Sequence, residues 1–201
     1  AESIWQVAPE IVLKETMHCN QTGNSSLFSA LKNIDLSAYD SLAVGPGIGI
    51  DNDDWQKSKD YLMAFGGLLI LDADALNRIS ESKLGSNFFL ERKSKTWITP
   101  HSKEFGRLFP NIKSKTNVGL ARDAAKEFNI SILLKGANSI VADSKKVWQL
   151  FGTDSQTARA GLGDLLCGFI AGSSAIDLTF SRNITTDFFA KYVLLHSFAA
   201  S

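Results

Sequence analysis

The chain has 201 residues, enough for one domain with a real core or for most of a larger one. Hydrophobic residues make up 44% and charged residues 21%, the balance of a folded globular protein without long disordered segments. Lysine plus arginine equals aspartate plus glutamate at 21 each, so no global field draws the chain to nucleic acid or to an anionic membrane surface.

In chain order, the first strand expected is Ser41–Val44, followed by the glycine loop Gly45-Pro46-Gly47-Ile48-Gly49 and a helix over 54–65. Leu68–Leu71 is a second apolar run, followed by Asp72-Ala73-Asp74 and a helix over 73–79. Thr96–Ile98 leads into a helix over 100–109, with Thr99 as its expected N-cap and Pro100 at its first position. A helix over 118–128 precedes the run Ser131–Leu134. From Ile140 to Leu150 the pattern is two short strands around Asp143-Ser144-Lys145-Lys146, an antiparallel hairpin. Helical patterns over 163–173 and 188–200 close the chain. Continuous apolar strands alternating with helices predict an α/β fold, a mostly parallel sheet buried on both faces and mixed at one edge. Neither an internal repeat nor a linker divides the sequence, so residues 1–201 read as a single domain.

Cys19 and Cys167 are far apart and outside any C-x-x-C pattern, so both are expected to be reduced core residues. No apolar run is seen to reach the roughly 18–20 residues of a transmembrane helix, and no secretory pattern opens the chain. The expected compartment is the cytoplasm, with no membrane and no nucleic-acid partner. Ala1 in place of methionine, and an apolar helical pattern running to Ser201 without a stop signal, make both ends read as cut.

In open α/β sheets ligands bind beyond the carboxyl ends of the parallel strands. The segments there are Gly45 to Gly49, Asp72 to Asn77, Thr99-Pro100-His101 and Lys135-Gly136-Ala137-Asn138. Their convergence on one edge is the main functional argument. Gly161-Leu162-Gly163-Asp164 precedes an apolar helical pattern, so its amides should stand at a helix start suited to a phosphate. Asp164 is either a first-turn residue favoured by the helix dipole or a carboxylate placed to accept a proton or handle a metal. The polar stretch 152–159, with Thr153, Ser155 and Thr157, suits a phosphate or ribose lining.

Lys135 could reach a nucleotide phosphate or ribose, although on spacing alone a solvated lysine before a turn is favoured. Taken alone, His101 reads as a surface histidine. Asp72 and Asp74 read as structural N-cap candidates. His18-Cys19 and Asp51-Asn52-Asp53-Asp54 lack metal-ligand spacing and read as loop residues, and no metal ligand is assigned. Esterase, P-loop and Rossmann dehydrogenase signatures are absent from the sequence.

Taken together and in order, segments 44–49, 71–77, 98–108, 134–138 and 160–168 resemble the ATP- or ADP-dependent NAD(P)H-hydrate dehydratases of the ribokinase-like superfamily. Tyr192 to Ala200 also resembles that family's late helix. The resemblance implies a three-layer ribokinase-like sandwich, with helices on both faces of the sheet. It implies repair of hydrated NADH or NADPH, with Asp164 as the base that activates the substrate hydroxyl for phosphorylation before phosphate is eliminated. On the same ground Gly47, Gly49, His101 and Asp164 would contact the hydrated dinucleotide. Lys135, Gly136, Ala137, Asn138, Ser139, Gly161 and Gly163 would hold ATP or ADP, with Mg2+ as the accompanying ion, and a homo-oligomer, a tetramer, is implied.

Leu162 stands where the family usually has threonine, Ala160 where it has glycine, and Lys103 where it has glycine before Glu104. The family's opening strand, glycine-rich substrate loop and helix should precede residue 1, and its C-terminal end is also not seen. Two other readings are a ribokinase-like small-molecule kinase and a non-catalytic nucleotide-binding remnant.

Overall fold

Four apolar runs build the parallel part of a six-stranded sheet whose spatial order follows the chain. β1 (Ser41–Val44), β2 (Leu68–Leu71), β3 (Thr96–Ile98) and β4 (Ser131–Leu134) pair in parallel. β5 (Ile140–Ala142) and β6 (Val147–Gln149) extend the sheet antiparallel as the expected hairpin. Every residue of β2, β3 and β4 is buried, which is why these strands read as unbroken rather than alternating apolar runs. This computed structural model describes residues 12–19, 23–151, 161–181 and 183–200.

Among the described residues the α-helices are α1 (Leu27–Leu31), α2 (Asn52–Ala64), α3 (Ala73–Glu81), α4 (Asn87–Glu91), α5 (Ser102–Leu108), α6 (Asn117–Phe128), α7 (Leu162–Ser181) and α8 (Thr186–Ala200). Alternation along each strand sends side chains to two cores. Leu69, Leu71, Ile98, Ile132 and Leu134 pack with Leu62, Phe88, Phe105 and Phe128 from the helices of one layer. Leu68, Ile70, Trp97 and Leu133 pack with Leu166, Cys167 and Ile170 of α7 and Phe189 and Val193 of α8. The expected layering, helices on both faces of a mostly parallel sheet, is the observed one.

Several local expectations differ from the structure. The N-cap of α5 is His101, not Thr99, and Pro100 is not helical. Thr99 N–H donates to Leu71 O at 3.1 Å and Pro100 O accepts from Lys135 N–H at 2.9 Å, so strand pairing holds these two residues extended. Asn52, Asp53 and Asp54 form the first turn of α2 rather than a loop, with Asp51 as N-cap. α1 and α4 are two short helices that the sequence reading did not contain. Cys19 is exposed, while Cys167 is a core residue as expected.

α7 runs to 20 residues and is long and apolar enough by length and composition to cross a bilayer, contrary to the sequence reading. It places Leu166, Cys167 and Ile170 against the sheet and exposes Leu165, Ile176 and Phe180. Asp164 and Asp177 are both on it.

Trp97 and Phe189 stack with ring centroids 4.5 Å apart, joining the sheet to α8. Phe189→Ala is therefore expected to cost about 3–5 kcal/mol, read from chemical denaturation, because a fully buried ring leaves a cavity. A loss below about 1 kcal/mol would show that this core tolerates collapse.

Candidate functional site

Val44, Leu71, Ile98 and Leu134 end the parallel strands facing the core of α2 to α6. The next residue of each strand is Gly45, Asp72, Thr99 and Lys135, and the side chains of Asp72 and Lys135 turn toward the start of α7 at Gly163. The expected convergence is present. Asp72 N–H donates to Val44 O at 3.1 Å, so its backbone continues the ladder. Gly45 has φ +143, and a Cβ there would stand 1.7 Å from Asp72 O, so only glycine lets the two strand ends meet.

Asp72 occupies the N-cap position of α3, yet its carboxylate makes no cap bond there. It accepts instead from Lys135 Nζ at 2.7 Å. The Asp72 side chain is 2% exposed and that of Lys135 26%. A Cβ on Gly163, at the start of α7, would lie 3.7 Å from Lys135 Nζ and 3.8 Å from Asp72 Oδ2. The helix start therefore rests on this pair. Burial pushes the Cys167 thiol up to about 12, with Asp72 and Asp164 adding to the rise and Lys135 opposing it. The thiol lies within the field of all three charged groups. Thr99 Oγ1 is buried and without a partner among the described residues.

Asp164 is exposed in the first turn of α7, and Gly161 precedes it with φ +85. First-turn amides of a helix have no intrahelical acceptor, so Leu162, Gly163 and Asp164 offer N–H groups at this point. Leu162 thus removes a hydroxyl relative to the family pattern but keeps its backbone donor. The polar stretch 152–159 and Ala160 lie outside the described residues.

Loop 45–49 is clamped from below by Arg78, which is fully buried. Arg78 Nε donates to Gly49 O at 2.6 Å and Nη2 to Ile48 O, while Nη1 meets Asp54 Oδ2 at 2.7 Å. Gly49 N–H donates to Asp74 Oδ2 at 2.9 Å. Burial pushes the Asp54 carboxyl up, but Ser26 Oγ, Arg78 and the amides of Leu27 and Phe28 outweigh it and hold the group below its ordinary value. Asp54 thereby also caps α1 from a distance.

His101 Nδ1 accepts from the amides of Lys103 and Glu104 at 3.1 and 3.3 Å, and Glu104 Oε2 accepts from His101 N–H at 2.8 Å. In the neutral ring Nε2 then carries the hydrogen. His101 pairs with Lys135 as an isolated parallel bridge, so these two residues stand side by side. Beyond Lys135, Gly136, Ala137 and Asn138 are exposed, and Ser139 Oγ donates to Gly136 O at 3.2 Å.

The structure thus brings Lys135 against Gly163, the residue before Asp164 at the start of α7, with His101 beside Lys135. It sets Gly47 and Gly49 in a separate loop of the same edge. The sequence reading missed the functional weight of Asp72, and of Asp54, Asp74 and Arg78 beneath loop 45–49. Asp72 was marked by following an apolar strand directly, whereas nothing local announced Arg78. A cavity of about 490 Å3 lies at the opposite, amino end of β3 and β4, lined by Lys93, Lys95, Thr96, Ser131 and residues 183–187. It shares no residue with the strand-end loops.

A family model described as NAD(P)H-hydrate dehydratase matches residues 3–194. A curated relative, the bifunctional NAD(P)H-hydrate repair enzyme Nnr of Synechocystis, is 33% identical over 82% of this chain and 30% of its own length. A ribokinase-like superfamily protein from Enterococcus faecalis superposes with TM-score 0.66 and 26% identity, over 86% of this chain and 56% of its own. An ADP/ATP-dependent NAD(P)H-hydrate dehydratase from Bacillus subtilis, co-crystallised with ATP/Mg2+, shares the fold with TM-score 0.56 and 24% identity, over 85% of this chain and 52% of its own. The chain thus spans under a third of the curated relative and little over half of these solved structures.

Arg78→Met leaves Asp54 buried without its cation, and is expected to cost about 3–5 kcal/mol. In the unaltered protein the lowered Asp54 group contributes stability that is present above its unfolded value of about 3.9 and is lost as pH falls through the lowered folded value. With the cation gone one of the interactions that lower the group is lost and its folded value moves up, so the acid-unfolding midpoint should move to higher pH. An unchanged midpoint would contradict this clamp.

Proposed function

Because the chain belongs to the NAD(P)H-hydrate dehydratase family, we propose that it restores hydrated NADH or NADPH by ATP- or ADP-dependent dehydration. The observation that supports this reading is that Lys135, paired with Asp72, lies against Gly163 at the start of α7, with the exposed Asp164 the next residue of that helix. A phosphate-facing helix start, an ammonium and an exposed carboxylate are what transfer to a hydroxyl requires.

In this reading the amides at the start of α7, Gly161 and residues 135–139 bind the nucleotide. Glycine at 163 leaves the backbone open to a phosphate and Lys135 adds a compact charge. Asp164 accepts the proton of the substrate hydroxyl as its oxygen bonds to the terminal phosphorus of the donor, and the bond from that phosphorus to its bridging oxygen breaks, releasing ADP from ATP or AMP from ADP. Breaking of the C–O bond then releases phosphate, and loss of a ring proton re-forms the double bond. Loop 45–49, through Gly47 and Gly49, and His101 bind and orient the hydrated dinucleotide.

Mg2+ fits this arrangement as an ion carried by the nucleotide, with Asp164 as the exposed carboxylate at the phosphate loop. When bound it neutralises charge on the phosphates. Asp164 alone does not make the chemistry specific to a nicotinamide hydrate, which rests on the family.

The test is the recovery of reduced-nicotinamide absorbance from hydrated NADH with ATP or ADP and magnesium. Asp164→Asn should lower the rate by about 10²–10⁴-fold while nucleotide binding persists. Unchanged turnover in that variant would remove Asp164 as the base. A stable phosphorylated product from another hydroxyl compound, with no recovery of the cofactor, would favour a kinase.

A further inference from the structure

We infer that Asp72 is a positioning residue that holds Lys135 in line for phosphoryl transfer and moderates the affinity of the site for nucleotide. The inference rests on the nucleotide-binding reading of the strand-end edge. Asp72 heads α3, where a carboxylate ordinarily caps the helix, but its side chain makes no cap bond there and turns to Lys135 at 2.7 Å. The backbone around it is held as tightly. Gly45 leaves no space beside Asp72 O, and Ala73, the next residue, has φ +47, a left-handed conformation that is strained for a side chain other than glycine. A strained turn, a packed carbonyl and a surrendered cap all have the same effect. They fix one carboxylate on one amine.

The location gives this arrangement its consequence. Asp72 Oδ2 would lie 3.8 Å from a Cβ on Gly163, directly behind the loop read as the phosphate cradle. A buried carboxylate there repels an incoming anion, and Lys135 offsets it. The pair therefore presents a directed ammonium with little net charge. Nucleotide is bound less tightly in the ground state than a lone lysine would bind it. The ammonium is nonetheless already placed where charge develops in the transition state. Cys167, which is within the field of the same pair, is buried beneath it and adds no charge.

Three variants of the protein, Asp72→Asn, Asp72→Glu and Lys135→Met, together with the double variant of the first and third, test this. Calorimetry with ADP reads affinity without turnover, and steady-state assays read kcat and KM. In Asp72→Asn the ammonium is released and unopposed, so ADP should bind about 3–10-fold more tightly while kcat falls about 10–100-fold, a split opposite to that of a merely destabilised protein. In the Lys135→Met background the same substitution should no longer tighten ADP binding through the amine, so the two effects should be non-additive. Asp72→Glu keeps the charge and should show near-normal affinity with reduced kcat.

Weaker ADP binding in Asp72→Asn, additive effects in the double variant, or tightened binding in Asp72→Glu would each overturn the inference. Should Asp72→Asn not fold, the affinity and kcat of Asp72→Glu decide it. A protein that binds ADP as expected in all variants but never restores hydrated NADH would overturn the dehydratase reading while leaving the pairing supported.

Discussion

Asp72 and Lys135 meet across the carboxyl edge of the sheet, and each depends on structure built elsewhere. Asp72 arrives from β2 and Lys135 from β4, with β3 between them, so their contact requires all three strands in register. Gly45 must be glycine for β1 to close against Asp72, and Gly163 brings the start of α7 down onto the pair. The site is a product of sheet register more than of any single loop. Buried strands supply that register because a slip by one residue would exchange the two cores.

A second set of interactions supports the outer loop. Arg78 spends its guanidinium on two carbonyls of loop 45–49, on Ser25 O and on the Asp54 carboxylate. The same carboxylate receives the first amides of α1. One buried ion pair thus ties α1, α2, α3 and the glycine loop into a unit. Removing its cation strands a charge in the core, which is why such pairs are costly to break even where they add little when intact.

Much of this was legible in the sequence. β1 to β4 and the hairpin were visible because continuous apolar runs bounded by Gly, Asp and Pro have few other uses, and local patterns decide them. Lys135, Gly163, Asp164 and His101 stood out because they follow strands or open helices. The start of α5 was misplaced because strand pairing to Leu71 and Lys135 overrides the ordinary preference of Thr-Pro for a helix start. α1 escaped notice because much of its capping comes from Asp54, 27 residues away from Leu27. Asp72 looked like a cap because its true partner, Lys135, is 63 residues away. Long-range ion pairs leave no periodic trace, and both of the pairs that organise this edge are of that kind.

Among the described residues, the strand-end edge at α7 and the lysine-lined cavity at the amino end of β3 and β4 could each receive a nucleotide on general grounds. Family membership and the Lys135, Gly163 and Asp164 grouping favour the first. Hydrogen–deuterium exchange of the protein with and without ADP and magnesium separates them directly. The account predicts added protection in residues 135–139 and 161–166, with residues 93–97 and 183–187 unchanged. Protection confined to residues 93–97 and 183–187 would contradict it.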